Sequence, residues 1–184
     1  VDTPDRVFER FHRLRQVFRL RVEEALALTR RFELVERGEI DRAKRLDLTV
    51  QLVCADELRN QIPDRKLLRK WAKAVYSDAA TITMRFVDDD ESQHLNDTYR
   101  SKNKPTNVLS FPYEDEPLMG DIVFCPSVIY REAQEQGKSV TAHMAHLVVH
   151  GMLPLIGYDH LNHRDAKEME SLETNILADL GFAN

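Results

Sequence analysis

The sequence predicts a small α/β or α+β domain, a four-stranded sheet covered by helices, preceded by an amphipathic helical extension. Three observations predict it. Four short runs rich in β-forming residues follow residue 47 and are interleaved with runs at helical spacing. A long run at helical spacing comes before them and is separated by a polar break. Finally, 184 residues with 42% hydrophobic content suit one ordinary domain with a real core and an appendage.

The elements follow in order. Over residues 4–31, Val7, Phe8, Phe11, Leu14, Phe18, Val22, Ala25 and Leu26 recur on one helical stripe, with Arg10, Arg13, Arg19 and Arg21 largely off it. Pro4 falls where a first helical turn tolerates proline. Gly38 and the polar stretch to Arg45 place a boundary near residue 46, giving an extension of residues 1–46 and a domain of residues 47–184. Leu48–Val53 alternates and is the first strand. Residues 64–78 are helical, with Leu67, Leu68, Trp71, Ala72 and Val75 on one stripe, so Trp71 is a core residue before it is a base-stacking platform. Thr81–Val87 is the second strand. Asp88 or Asp89 then caps a short helix that runs to about Tyr99. Asn107–Phe111 is a third strand stopped by Pro112, and Asp121–Phe124 a fourth. Helices near 126–136, 140–153 and 164–180 complete the chain, the last ending at Gly181.

Composition excludes several classes. No apolar run approaches the roughly 20 residues that cross a bilayer, so no membrane is expected. The first residues have no apolar core of a signal peptide. The chain does not begin with methionine, which leaves a bacterial cytoplasm or an organelle reached after presequence removal as its compartment. Cys54 and Cys125 make neither a disulfide framework nor a four-cysteine zinc site and read as two buried reduced thiols. The net charge of −5 argues weakly against nucleic acid, but its distribution matters more. Residues 1–46 carry +3 and residues 47–184 carry −8. Two basic clusters interrupt the acidic domain, Arg65/Lys66/Arg69/Lys70/Lys73 and Arg100/Lys102/Lys104.

Four of the seven histidines lie between residues 143 and 160. His146 and His150 are four apart, so a helix puts them on one face. A turn at Gly157 would bring His160 back towards them. Two histidines from one helix and a third from the next loop are a standard way to hold a divalent metal with an open position for water. His143 lies off the face of His150. Residue 147 is leucine, so the zinc-protease pattern with glutamate after the first histidine is not met.

The stretch from His150 to His160 resembles the signature of the YbeY endoribonucleases, His-Gly-x-Leu-His-Leu-x-Gly-Tyr-Asp-His, matching at His150, Gly151, Leu153, Leu155, Gly157, Tyr158, Asp159 and His160. Residues 95–112, Leu95-Asn96-Asp97-Thr98-Tyr99-Arg100-Ser101-Lys102-Asn103-Lys104-Pro105-Thr106-Asn107-Val108-Leu109-Ser110-Phe111-Pro112, resemble a second block of that family. Gly120-Asp121-Ile122 resembles its Gly-Asp-Ile strand. Three blocks in order over residues 47–184 are far more specific than one histidine motif.

The resemblance implies an α+β fold with a mixed four-stranded sheet. It implies one divalent metal, usually zinc, held by three histidines. It also implies cleavage of single-stranded RNA, maturation of the 16S ribosomal RNA 3′ end, ribosome quality control, and contacts with the small ribosomal subunit and one of its proteins. Of the three implied ligands, His150 and His160 remain. The third position holds Pro154, which has no ligand atom and no N–H for the carbonyl of His150. The site is therefore expected to be impaired and the helix to end early. His146, one turn back, is the possible substitute, at the cost of moving the metal by about 6 Å along the helix. Arg100 is the candidate catalytic residue, since a guanidinium grips phosphate oxygens in a bidentate way. Lys102 and Lys104 would extend the phosphate track, with Arg65 and Arg69 as further RNA contacts. Asp159 would orient a histidine. Asp121, at the start of a strand, would face the cleft or cap a loop. A non-catalytic ribosome-binding or assembly factor on the same scaffold is the alternative.

Overall fold

The computed structural model describes residues 48–115, 117–158 and 163–182. The 1–46 extension and the boundary after it lie outside the described residues, as do Asp159 and His160. Four strands are present: β1 (Leu48–Cys54), β2 (Ala80–Phe86), β3 (Val108–Asp115) and β4 (Leu118–Phe124). They form one mixed sheet in the order β1-β2-β4-β3. β1 and β2 run parallel, as do β2 and β4, while β3 is antiparallel to β4 at one edge. Helices α1 (Arg65–Val75), α2 (Asp89–Arg100), α3 (Pro126–Glu135), α4 (Val140–Met152) and α5 (His163–Asp179) complete an α+β fold.

Alternation sorts the two faces of the sheet. Ala80, Ile82, Met84 and Phe86 are buried, while Thr81, Thr83 and Arg85 point to the other face and are half-buried. The core-side residues pack against α4. That helix buries Met144, Ala145, Leu147, Val148, Val149 and Met152, so it is apolar nearly all round, as a central helix must be. Trp71 of α1 joins this core at 1% exposure and meets Phe182 edge-on. Side-chain caps start three of the helices. Asp64 accepts from the Leu67 N–H at 2.8 Å, Asp88 from the Glu91 N–H at 2.9 Å, and Ser139 from the Ala142 N–H at 3.1 Å.

Three expectations about element boundaries need correction. The third strand does not stop at Pro112. It runs to Asp115, and its register shifts between Pro112 and Glu114. Edge strands and bulges are where a residue without an N–H is tolerated, and β3 is both an edge and irregular there. Asp121 does not begin a strand but sits in the middle of β4, because pairing with β3 carries that strand back to Leu118. α1 ends at Val75, where the Tyr76 N–H closes onto the Ala72 carbonyl; Ser77 and Asp78 are residues that prefer helix ends. A short 3₁₀ helix at Asp56–Gln61 was not anticipated, being too brief to show a period. Among the described residues no single helix is long and apolar enough to cross a membrane.

Candidate active site

The site is built at the C-terminal half of α4. Two features fix this helix against the edge strand. The Ser110 hydroxyl of β3 donates to the Gly151 carbonyl at 2.8 Å. Gly151 also has no side chain because none would fit: a Cβ there would stand 2.8 Å from Ile122 Cγ2 and 3.2 Å from Val108 Cγ2. His146 and His150 therefore have a set position. As their spacing predicts, they share one face, with ring centroids 6.2 Å apart. Both are half-buried.

Their partner is Glu173 of α5. His150 Nδ1 lies 2.6 Å from Glu173 Oε1, and His146 Nε2 lies 3.3 Å from Glu173 Oε2. Burial works against the charge on this carboxylate, but hydrogen bonds and attraction from the two imidazoles outweigh it and hold the pKa at about 2. One ligand atom from each of His146, His150 and Glu173 can be chosen so that all lie within 4.8 Å of one another. Glu173 is not among the candidates singled out from the sequence. A signal was present, because Glu173 falls within the stripe Met169, Ile176 and Leu177 that α5 buries.

Pro154 stands where the resemblance implies a ligand. α4 ends at Met152, and a 3₁₀ turn, Leu153–Ile156, follows. Proline is acceptable in that first turn, where its missing N–H has little to lose. The turn closes with the Gly157 N–H on the Pro154 carbonyl and the Tyr158 N–H on the Leu153 carbonyl, and Gly157 takes φ +92°. Position 154 is thus half-buried, off the α-helical ladder, and without a donor atom. His143 belongs to a different network. Its Nε2 lies 2.9 Å from Glu132 Oε2, which also accepts from Asn107 Nδ2 at 2.9 Å.

The arginine–lysine block forms a stitched loop. Arg100 closes α2, and Ser101 follows in the left-handed region at φ 55°. Ser92 bridges to both the carbonyl and the N–H of Thr106, Asn96 Nδ2 donates to the Lys104 carbonyl, and Gln93 Nε2 to Asn103 Oδ1. Tyr99 packs edge-on against Phe111, anchoring the end of α2 on β3. Lys102 and Lys104 are exposed on this loop. Partial desolvation lowers the pKa of Arg100, which stays cationic as arginines do, and the residue is exposed.

The other candidates are placed as follows. Arg65 is exposed at the start of α1, and Arg69 Nε donates to the Leu48 carbonyl at 2.7 Å, tying α1 to β1. Asp121 faces away from the core helix yet is 8% exposed, and accepts from the Tyr113 hydroxyl at 2.6 Å. Burial raises its pKa, with Tyr113, Thr83 and Arg85 opposing. Cys54 is half-buried and Cys125 buried, and burial raises the Cys125 thiol.

Comparison with known proteins agrees with this architecture. A family model described as Endoribonuclease YbeY matches residues 49–181. The endoribonuclease YbeY of Nitrosomonas europaea is 52% identical over 143 residues, covering 77% of this chain and 85% of that protein. The solution structure of TM1509 from Thermotoga maritima superposes with a TM-score of 0.52 at 26% identity, covering 72% of this chain and 89% of the other. The sheet, the histidine helix and the arginine–lysine loop thus have a common origin, and the chain belongs to the YbeY endoribonuclease family.

Proposed function

We propose that this chain is a metal-dependent endoribonuclease that cuts single-stranded RNA, with small-subunit ribosomal RNA and its 3′ end as the substrate. It would work in a bacterial-type cytoplasm on the small ribosomal subunit, beside one of that subunit's proteins, and contribute to ribosome quality control. The observation that carries this reading is the Arg100–Asn107 block, which keeps Arg100, Lys102, Pro105 and Thr106 of the family pattern, carries Asn103 and Asn107 where that pattern has aspartate, and is held as a shaped loop in a chain 52% identical to a YbeY endoribonuclease.

Arg100 binds a phosphate and stabilises the charge that builds on its oxygens as the phosphodiester is attacked. Lys102 and Lys104 hold the strand by neighbouring phosphates. Arg65 and Arg69 of α1 would be further RNA contacts. The implied metal is of the zinc class, and the imidazole and carboxylate donors at α4 and α5 suit such an ion. When bound, it supplies Lewis acidity and a water of lowered pKa. Pro154 removes a ligand that the family pattern provides, so activity is expected below that of a three-histidine relative.

The second reading, a non-catalytic ribosome-binding or assembly factor, is favoured by Pro154 alone. One assay separates the two. The chain and its Arg100→Ala variant are incubated with a single-stranded RNA spanning a 16S 3′ end and with its duplex. We expect cleavage of the single strand only, reduced about 100-fold or more in the variant with the fold unchanged. Equal cleavage by both would remove Arg100 from the mechanism. No cleavage by either, with binding to the small subunit retained, would establish the second reading.

A further inference from the structure

We propose that this chain holds a divalent cation of the zinc class directly through His146, His150 and Glu173, one helical turn before the place that the family's three-histidine pattern would give it. The proposal rests on the metal-dependent reading above and specifies the ligands.

Three features of the structure carry it. The donors come from two helices packed on each other, so they form a built site rather than a surface cluster. The Glu173 side chain is only 11% exposed, and the His146 and His150 side chains are 35% and 33% exposed, which leaves a route in from one side. Position 154 cannot compete for the ion, because proline has no donor and lies beyond the end of α4.

Distances are compatible with coordination. Bonds of about 2.0–2.2 Å arranged tetrahedrally put ligand atoms about 3.3–3.6 Å apart. The 3.3 Å between His146 Nε2 and Glu173 Oε2 already meets this. His150 Nδ1 stands 2.6 Å from the other oxygen, Oε1, so a rotation of the carboxylate must bring one oxygen to both nitrogens, starting from ligand atoms that can be chosen within 4.8 Å of one another. Proton balance is also met. In neutral imidazoles the nitrogen that faces Glu173 carries the hydrogen; on metal binding that hydrogen moves to the other ring nitrogen, and the freed lone pair takes the ion. The carboxylate offsets one of the two positive charges. Two imidazoles and one carboxylate leave a fourth position open and favour zinc-like ions over calcium or magnesium, which select oxygen donors.

The opposing arrangement is that Glu173 only orients His150 through Nδ1, while Nε2 binds a metal shared with His160. A cobalt titration distinguishes them. The full chain is stripped with a chelator and titrated with Co²⁺, following the visible d–d absorption and the bound metal by elemental analysis. We expect one Co²⁺ per chain, affinity lowered at least 10-fold in both His146→Ala and Glu173→Gln, and affinity within threefold of the parent in His160→Ala. Loss of binding in His160→Ala with retention in His146→Ala would overturn the proposal while leaving the metal-dependent reading intact. No binding by the parent, with binding gained by Pro154→His, would overturn the proposal and count against metal dependence of this chain. Imidazole ¹⁵N NMR of the parent chain guards against variants that misfold. Zn²⁺ should shift His146 Nε2, and an unmoved His146 signal at metal saturation would overturn the assignment.

Discussion

Glu173 is a carboxylate in the apolar stripe of α5, and its ionisation is linked to stability. Its pKa lies at about 2 in the folded chain, below the ordinary 4.5, because two histidine hydrogen bonds overcome the burial cost. A depressed carboxyl stabilises the fold above its unfolded pKa and loses that contribution as pH falls towards the folded value. In chelator-treated protein, Glu173 should stabilise the fold at pH 6, and that contribution should decline between about pH 4.5 and pH 2. Urea unfolding of the parent and of Glu173→Gln at several pH values checks this. A stability difference that grows on acidification would contradict it. The pairing of His146 with His150 is legible in the sequence because helical spacing is local. Glu173 is not, since it meets them only when α5 docks on α4, 23 and 27 residues further on.

At the scale of elements, α4 is the part whose packing tolerates least. Replacing a helical glycine by alanine is normally favourable by about 1 kcal/mol. At Gly151 the new methyl meets Ile122 Cγ2 at 2.8 Å, an atom of a β-branched side chain with little freedom to move. Overpacking of this kind costs about 1–3 kcal/mol, so Gly151→Ala should be net destabilising, by about 1 kcal/mol. A denaturation midpoint equal to or above the parent's would show that the helix and sheet are less closely seated than drawn. The strands and helices themselves were largely readable, because alternation and 3.6-residue periods are properties of short segments. The continuation of β3 through Pro112 was not, since it depends on which neighbour pairs with that strand and on which side. The same holds for the early end of α1, which local composition marks only weakly.

Over the whole molecule, a net charge of −5 repels a polyanion, so the RNA binding proposed above would draw on local cations such as Arg100, Lys102 and Lys104. Each phosphate contact in a single-stranded complex adds about −0.7 to the slope of log K against log salt. Lys102→Ala and Lys104→Ala should each flatten that slope by about 0.7 and weaken binding to all single strands alike. RNA binding measured over a range of potassium chloride concentrations tests this, and an unchanged slope would take the lysine concerned off the phosphate track. Family and fold could be read from three ordered sequence blocks. The proposed ligand set could not, because the block that should name it carries a proline, and both His146 and Glu173 lie outside every block.

The Ser110–Gly151 seat has a consequence for how such a site changes over evolutionary time. A helix locked in register against its sheet cannot slide to rescue a lost ligand. Repair must recruit donors that the fold already gathers nearby, and in the proposed site His146 and Glu173, one turn earlier, are such donors. Metal preference can then drift by single substitutions while the architecture stays still, so lineages of this family could exchange coordination sets without passing through an unfolded ancestor.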